Sequence, residues 1–123
     1  MSKEYEASKP IYWQIAEQIF KQIIRGEIRP GDKLPSVREM AVLSGVNPNT
    51  IQRTYSELER MGIVETRRGQ GTFIVSRDEI RGELCKKMEK DIVSHFVQSM
   101  AELGFTKDEM IKSVQDYFRE GEI

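Results

Sequence analysis

The fold is decided by residues 36–50, which have the sequence SVREMAVLSGVNPNT. Ser36 and Glu39 have the spacing of a capping box, so a helix is expected to begin at Ser36. Gly45 is expected to end that helix about two turns later. Asn47 can cap a further helix whose first residue is a proline. Two helices joined by a short glycine-containing connection predict a helix-turn-helix.

An earlier helix is predicted by isoleucines that recur at every fourth residue from Ile11 to Ile23. Pro10 suits its first turn, and Gly26 is expected to stop it. The three predicted helices thus follow one another between residues 10 and 61. In the second and third helices we expect burial of Val37, Met40, Ala41, Ile51, Tyr55 and Leu58.

After the third helix the pattern changes to β-branched and aromatic segments, which predict strands over residues 63–66 and 72–75. The segment between them, residues 67–71, is basic and contains two glycines, as expected of a hairpin tip. Three helices followed by a hairpin are the order of a winged helix-turn-helix.

From Arg77 onward the sequence predicts helix again. Gly104 is expected to end this long helix, and Thr106 and Glu109 have the spacing of a second capping box that would begin a final helix. An apolar stripe follows the long helix at four-residue spacing and consists of Ile80, Leu84, Met88, Ile92, Phe96 and Met100. The expected fold is therefore α+β and mainly helical, with a winged helix-turn-helix over residues 1–76 and a two-helix dimerisation region over residues 77–123.

Composition excludes several classes of protein. The chain has 123 residues, which suits one domain or two small lobes. Its apolar runs are too short for a transmembrane span, and its polar first residues do not resemble a signal peptide. One cysteine and one histidine exclude an internal disulfide and a Cys- or His-based metal site. We expect a cytoplasmic protein without a cofactor, and no enzyme, because one histidine is too few to assemble a catalytic set.

Polar side chains on the third helix are candidates for contacts with DNA. Asn49, Thr50, Gln52 and Arg53 lie away from the predicted buried side of that helix. Asn and Gln can bond adenine, Arg can bond guanine or phosphate, and Thr can contact phosphate or a thymine methyl group. The alternative is an ordinary polar surface beside the helix cap.

Basic residues on two further elements are candidates for phosphate contacts. Arg38 lies in the first turn of the second helix, where free backbone N–H groups favour an anion. Arg67 and Arg68 lie at the hairpin tip, and Gly69 lets the backbone pass close to a phosphodiester. The alternatives are exposed arginines that pair with nearby acids, and an ordinary turn. A winged helix would bring all three elements to one face.

Residues from Pro10 to Val75 resemble the DNA-binding domain of the GntR family of bacterial transcription regulators. The resemblance lies in Pro10–Tyr12, Gly26–Glu39, Val46–Thr50, Tyr55, Leu58–Glu59, Gly62 and Gly69–Phe73. It implies operator contacts at Ser36, Arg38, Asn47, Asn49, Thr50, Arg53, Arg68 and Gly69. Gln52 lies where some members of the family have an arginine.

The length of the tail indicates a subfamily. Only 47 residues follow Ser76, too few for a large effector-binding domain or for an aminotransferase-like domain. The chain therefore looks like the short YtrA-type branch, which implies a pair of helices used for dimerisation. A long helix with an apolar stripe must be covered, and symmetric pairing is the expected solution. The alternative is that the helix folds back on the winged helix of its own chain.

The expected function is that of a homodimeric regulator, a repressor, that binds a two-fold operator in double-stranded DNA. Two alternatives stay open: a winged-helix module for protein interaction, and an enzyme subunit or sensor with a pocket at the dimer interface. An unknown small-molecule effector is compatible with the dimer, and no membrane partner is expected.

Overall fold

The computed structural model describes residues 5–121, which contain five helices and a two-stranded antiparallel sheet. The predicted fold class, α+β and mainly helical, is confirmed. The elements in chain order are α1 (Ile11–Ile24), α2 (Val37–Ser44), α3 (Pro48–Arg60), β1 (Val64–Arg67), β2 (Gly71–Ile74), α4 (Ile80–Glu102) and α5 (Lys107–Gly121).

Both ends of α2 are fixed by the signals that predicted it. The Ser36 hydroxyl accepts a hydrogen bond of 3.1 Å from the backbone N–H of Glu39, and the Glu39 carboxylate accepts one of 2.9 Å from the N–H of Ser36. Gly45 then takes a left-handed conformation with φ of 70°, which ends the helix. The predicted burial is only partly right, because Val37 and Met40 are half-buried.

The core of the winged helix lies where α1 crosses α3. The buried side of α3 is formed by Ile51, Tyr55 and Leu58, as predicted, and by Thr54. The hydroxyl of Thr54 is satisfied in the core, within hydrogen-bond distance of the Tyr12 carbonyl at 2.9 Å. The facing side of α1 contributes Ile15, Ala16, Ile19, Phe20 and Ile23.

The hairpin is confirmed, but β1 lies one residue later than predicted and β2 lies one residue earlier. Arg67 pairs with Gly71 inside the sheet, so the tip consists of residues 68–70 alone. A third segment joins the sheet: Leu34 donates a hydrogen bond of 2.8 Å to the Thr72 carbonyl, and Ile74 donates one of 2.8 Å to the Asp32 carbonyl. This pairing was not predicted, since nothing local to residues 32–34 indicates a strand.

The chain forms two compact units, the first extending to Leu84 and the second beginning at Cys85. The first unit thus includes the start of α4, which begins at Ile80 rather than at Arg77. Ile80 and Leu84 are each only 3% exposed within the single chain. For these two residues the burial favours packing within their own chain over the predicted dimer stripe.

The second unit consists of the rest of α4 and of α5. Gly104, with φ of 89°, follows α4, and Thr106 and Glu109 form the predicted capping box through hydrogen bonds of 2.8 and 3.2 Å. Many large apolar side chains in this unit are exposed: Ile92, Val93, Val97, Leu103, Phe105, Ile111, Val114, Tyr117 and Phe118. Within residues 5–121, no helix is both long and apolar enough to cross a membrane.

Candidate nucleic-acid interface

The polar side of α3 is presented to solvent because the opposite side of the helix is anchored in the core. Asn49, Gln52 and Arg53 are exposed, and Thr50 is half-buried. The side chains of Asn49 and Gln52 have no hydrogen-bond partner in the part of the chain that the structure describes. Their donors and acceptors therefore remain available for base edges.

The start of α3 is ordered by its cap. The side-chain oxygen of Asn47 accepts a hydrogen bond of 2.7 Å from the backbone N–H of Asn49. The amide N–H donors of the Asn47 side chain have no partner among the described residues, whereas its oxygen is engaged in the cap. Asn49, Thr50 and Arg53 line one shallow depression together with Pro10 and Tyr12 from the start of α1.

The amino end of α2 is partly occupied by the chain itself. The capping box engages the N–H groups of Ser36 and Glu39, and the hydrogen bond from Ser36 lowers the pKa of the Glu39 carboxyl. An anion is left with the N–H groups of Val37 and Arg38, for which residues 5–121 provide no acceptor. Arg38 itself is exposed and makes no ion pair with another described residue.

The two arginines of the wing differ in their surroundings. Arg67 lies in β1 with its guanidinium 4.1 Å from the centroid of the Phe73 ring and 3.6 Å from the Glu65 carboxylate. Arg68, at the tip, is exposed and has no partner among the described residues. Gly69 follows with φ of 75°, in the left-handed region that favours glycine. Arg68 and not Arg67 is thus the free cation of the hairpin.

Lys33 is a further basic residue at the wing that the sequence did not single out. It pairs with Phe73 on the outer side of β2, and its side chain crosses Gly71 so closely that a Cβ there would lie 2.8 Å from Lys33 Cε. Its charge also contributes to lowering the pKa of Glu39. Lys33 therefore lies between the wing and the start of α2. Lys33 pairs with Phe73, 40 residues later in the chain, and no pattern in the sequence around Lys33 predicts that pairing.

The structure brings some of the predicted residues together and leaves others apart. Asn49, Thr50 and Arg53 share one depression, whereas no side-chain hydrogen bond or ion pair joins Arg38 or Arg68 to another predicted residue. Among residues 5–121, no group of three His, Cys, Asp or Glu side chains is placed to hold a metal ion.

A helix-turn-helix, a following hairpin wing and a polar exposed side on the last helix define a winged helix-turn-helix domain of the DNA-binding class. The sequence profile of the bacterial regulatory proteins of the gntR family matches residues 11–74, which is the same part of the chain. The chain belongs to the GntR family, and it is a transcriptional regulator with a DNA-binding domain.

Two bacterial relatives place the chain within that family. It is 57% identical over 121 residues to the HTH-type transcriptional regulator YhcF of Bacillus subtilis, an alignment that covers 98% of this chain and 100% of YhcF. It is 54% identical over 68 residues to the HTH-type transcriptional repressor YtrA of the same organism, covering 55% of this chain and 52% of YtrA. The resemblance to short YtrA-type regulators is confirmed, and these relatives are regulators rather than enzymes.

Solved structures agree with the fold. A GntR family transcriptional regulator from Listeria monocytogenes is 39% identical and superposes with a TM-score of 0.83, covering 91% of this chain and 98% of its own. The DNA-binding domain of AraR, solved in complex with operator ORR3, is 31% identical with a TM-score of 0.53 and covers 61% of this chain and 88% of its own. Family members of this fold thus bind operator DNA.

Proposed function

We propose that the protein is a homodimeric repressor that binds a two-fold DNA operator in the cytoplasm. The observation that carries this proposal is the exposed polar side of α3, where Asn49 and Gln52 keep unpaired donors and acceptors beside Arg53. The DNA complex of the AraR domain and the repressor activity named for YtrA support it.

Each element has its own task in the proposed complex. Asn49, Thr50, Gln52 and Arg53 contact base edges in the major groove, because they lie at the amino end of the last helix of the helix-turn-helix. Phosphates are held by groups that carry charge or free donors at the edges of that helix: Lys33, Ser36, Arg38, Asn47, Arg68 and the backbone at Gly69. Arg67 supports the wing from within the sheet.

The proposed dimer forms through the second unit. Ile92, Val93 and Val97 are 41–64% exposed, and neighbouring exposed apolar side chains of this kind mark an interaction surface. Met88, Phe96 and Met100 lie on the same side of α4 as Ile92 at four-residue spacing and are half-buried. We keep Ile92 and these three residues in the dimer stripe and leave out Ile80 and Leu84, which are already buried. The functional boundary between the two regions is proposed after Ser76.

The test is selection of bound sequences from a random duplex pool at several salt concentrations. We expect an inverted repeat whose half-sites lie roughly 10 base pairs apart, as two recognition helices of a dimer require. An absence of binding at low salt would overturn the proposal and favour a protein-interaction module. Salt-dependent binding without a shared sequence motif would contradict the proposed recognition of a specific operator.

Variants separate the two kinds of contact. Arg38→Ala is expected to weaken binding to all sequences and to reduce the salt dependence by about one phosphate contact. Asn49→Ala is expected to relax the preference at one base pair and to cost about 1–3 kcal/mol on the selected sequence only. Equal losses on selected and random DNA for both variants would contradict the assignment of α3.

A further inference from the structure

Arg53 is held against an aromatic ring of another helix. Its guanidinium carbon lies 4.0 Å from the centroid of the Tyr12 ring, in the first turn of α1. The backbone of Tyr12 is anchored to α3, since its carbonyl oxygen lies 2.9 Å from the hydroxyl of Thr54, which is fully buried and next to Arg53. The contact between Arg53 and Tyr12 therefore joins two helices whose backbones are already linked through Thr54.

The usual ionic partner of Arg53 is engaged elsewhere. Glu57 lies one turn further along α3, at the spacing at which opposite charges pair on a helix. Its carboxylate instead accepts hydrogen bonds from Arg60, including two of 3.2 Å from Arg60 Nε. Arg53 makes no salt bridge with any described residue, although its charge still helps to lower the pKa of Glu57. The Tyr12 ring is the group that the guanidinium of Arg53 contacts directly.

The Arg53 side chain donates no hydrogen bond to any described residue, so its N–H donors stay available while the guanidinium lies over the ring. We propose that Tyr12 is a positioning residue that holds Arg53 for recognition of one base pair. This inference rests on the proposed function and adds to it a residue of α1, outside the helix-turn-helix. Tyr12 acts by restricting the rotamers of Arg53 before DNA arrives, which lowers the entropy lost on binding.

The test compares the full-length protein with Tyr12→Phe, which keeps the ring, and with Tyr12→Leu, which removes it. Sequence preference is measured by competition between the selected operator and operators changed at one base pair at a time. Tyr12→Leu is expected to reduce discrimination about 2- to 5-fold at the base pair that Arg53→Ala affects, and nowhere else. Tyr12→Phe is expected to retain the wild-type preference.

Three controls make the outcome decisive. In the Arg53→Ala background, Tyr12→Leu is expected to have no further effect on discrimination. Trp13→Phe alters the neighbouring aromatic residue, which packs edge-on against Phe20 at 5.7 Å, and is expected to leave discrimination unchanged. Tyr12→Met replaces Tyr12→Leu if circular dichroism shows that the latter is unfolded.

Unchanged discrimination in the folded variant that lacks the ring would overturn the inference while leaving the proposed function intact. Equal losses on operator and random DNA would do the same, since they indicate a purely structural role. If the wild-type protein binds no DNA, the proposed function fails and the inference fails with it.

Discussion

The hydroxyl of Tyr55 donates a hydrogen bond of 2.7 Å to the carbonyl oxygen of Pro35. Tyr55 is buried on α3, and Pro35 directly precedes the capping residue of α2. The bond therefore fixes the entrance of α2, and with it Ser36 and Arg38, relative to the helix that is proposed to contact bases. Tyr55 thus helps to fix the position of the residues proposed to contact phosphate relative to those proposed to contact bases.

Replacing Tyr55 by Phe is expected to lower the free energy of unfolding by about 1–3 kcal/mol, because the Pro35 carbonyl loses its partner. Urea denaturation measures this change. The same variant is expected to bind random DNA more weakly, since Arg38 is no longer held in place. A variant with wild-type stability would show that water replaces the hydroxyl at no cost.

Alkaline pH should weaken the fold through the same residue. Burial raises the pKa of Tyr55 well above its ordinary value near 10. Above pH 10 the unfolded chain releases a proton that the folded protein keeps, so the free energy of unfolding falls as pH rises. Denaturation between pH 8 and pH 11 is expected to show a smaller decline in Tyr55→Phe than in the wild type. Identical declines would contradict the assignment.

The capping box of α2 should weaken in acid. The hydrogen bond from the backbone of Ser36 lowers the pKa of Glu39, so the folded carboxylate keeps its charge at a lower pH than in the unfolded chain. The stabilisation is present above about pH 4 and is lost as pH falls through the folded pKa. Glu39→Gln is expected to remove this part of the acid dependence in denaturation curves.

The serine half of the same capping box has its own test. Ser36→Ala is expected to cost about 1 kcal/mol of stability at neutral pH, as for other N-caps. Ser56→Ala, an exposed serine within α3, is the matched control and is expected to be neutral. Similar losses in the two variants would show that the cap contributes nothing specific.

The wing should depend on Gly71 more than on other glycines with positive φ. At Gly71 φ is 123°, and an added Cβ would lie 2.8 Å from Lys33 Cε, whereas at Gly62 φ is 77° and nothing lies within 4 Å. Gly71→Ala is expected to cost about 1–3 kcal/mol because of its φ, while the flexible end of Lys33 moves aside. Gly62→Ala should cost less in the same denaturation assay, because its φ lies in the left-handed region that other residues adopt more readily. The reverse order would contradict the backbone conformation at Gly71.

Dimerisation should fail when a charge enters the apolar stripe of α4. Ile92→Glu is expected to weaken self-association roughly 100-fold, because the interface would bury an unpaired carboxylate. Ser94→Glu places the same charge on the other side of the helix and should leave association unchanged. Sedimentation over a range of protein concentrations distinguishes the two. A wild-type protein that is monomeric at all concentrations would refute the proposed dimer.

Local signals in the sequence were sufficient to predict the helices and strands, but not the contacts between residues that are distant in the sequence. The capping box at Ser36 and the cap at Asn47 act within a few residues, and both helices begin where those signals predicted. The place of Arg67 depends on the strand register, and a shift of one residue moved it from the tip into the sheet. Long-range contacts, such as Lys33 beside Gly71 and Arg53 on Tyr12, have no counterpart in a local pattern.

The carboxylate of Glu39 accepts the backbone N–H of Ser36, so this donor at the amino end of α2 is not free for a phosphate. A phosphate there would be left with the N–H groups of Val37 and Arg38 and with the Arg38 side chain. With so few donors for one phosphate, we expect weak binding to any single half-site in the proposed complex. Long occupancy then requires that both winged helices of the dimer are bound at once. When one winged helix dissociates from its half-site, the other stays bound, and rebinding becomes intramolecular.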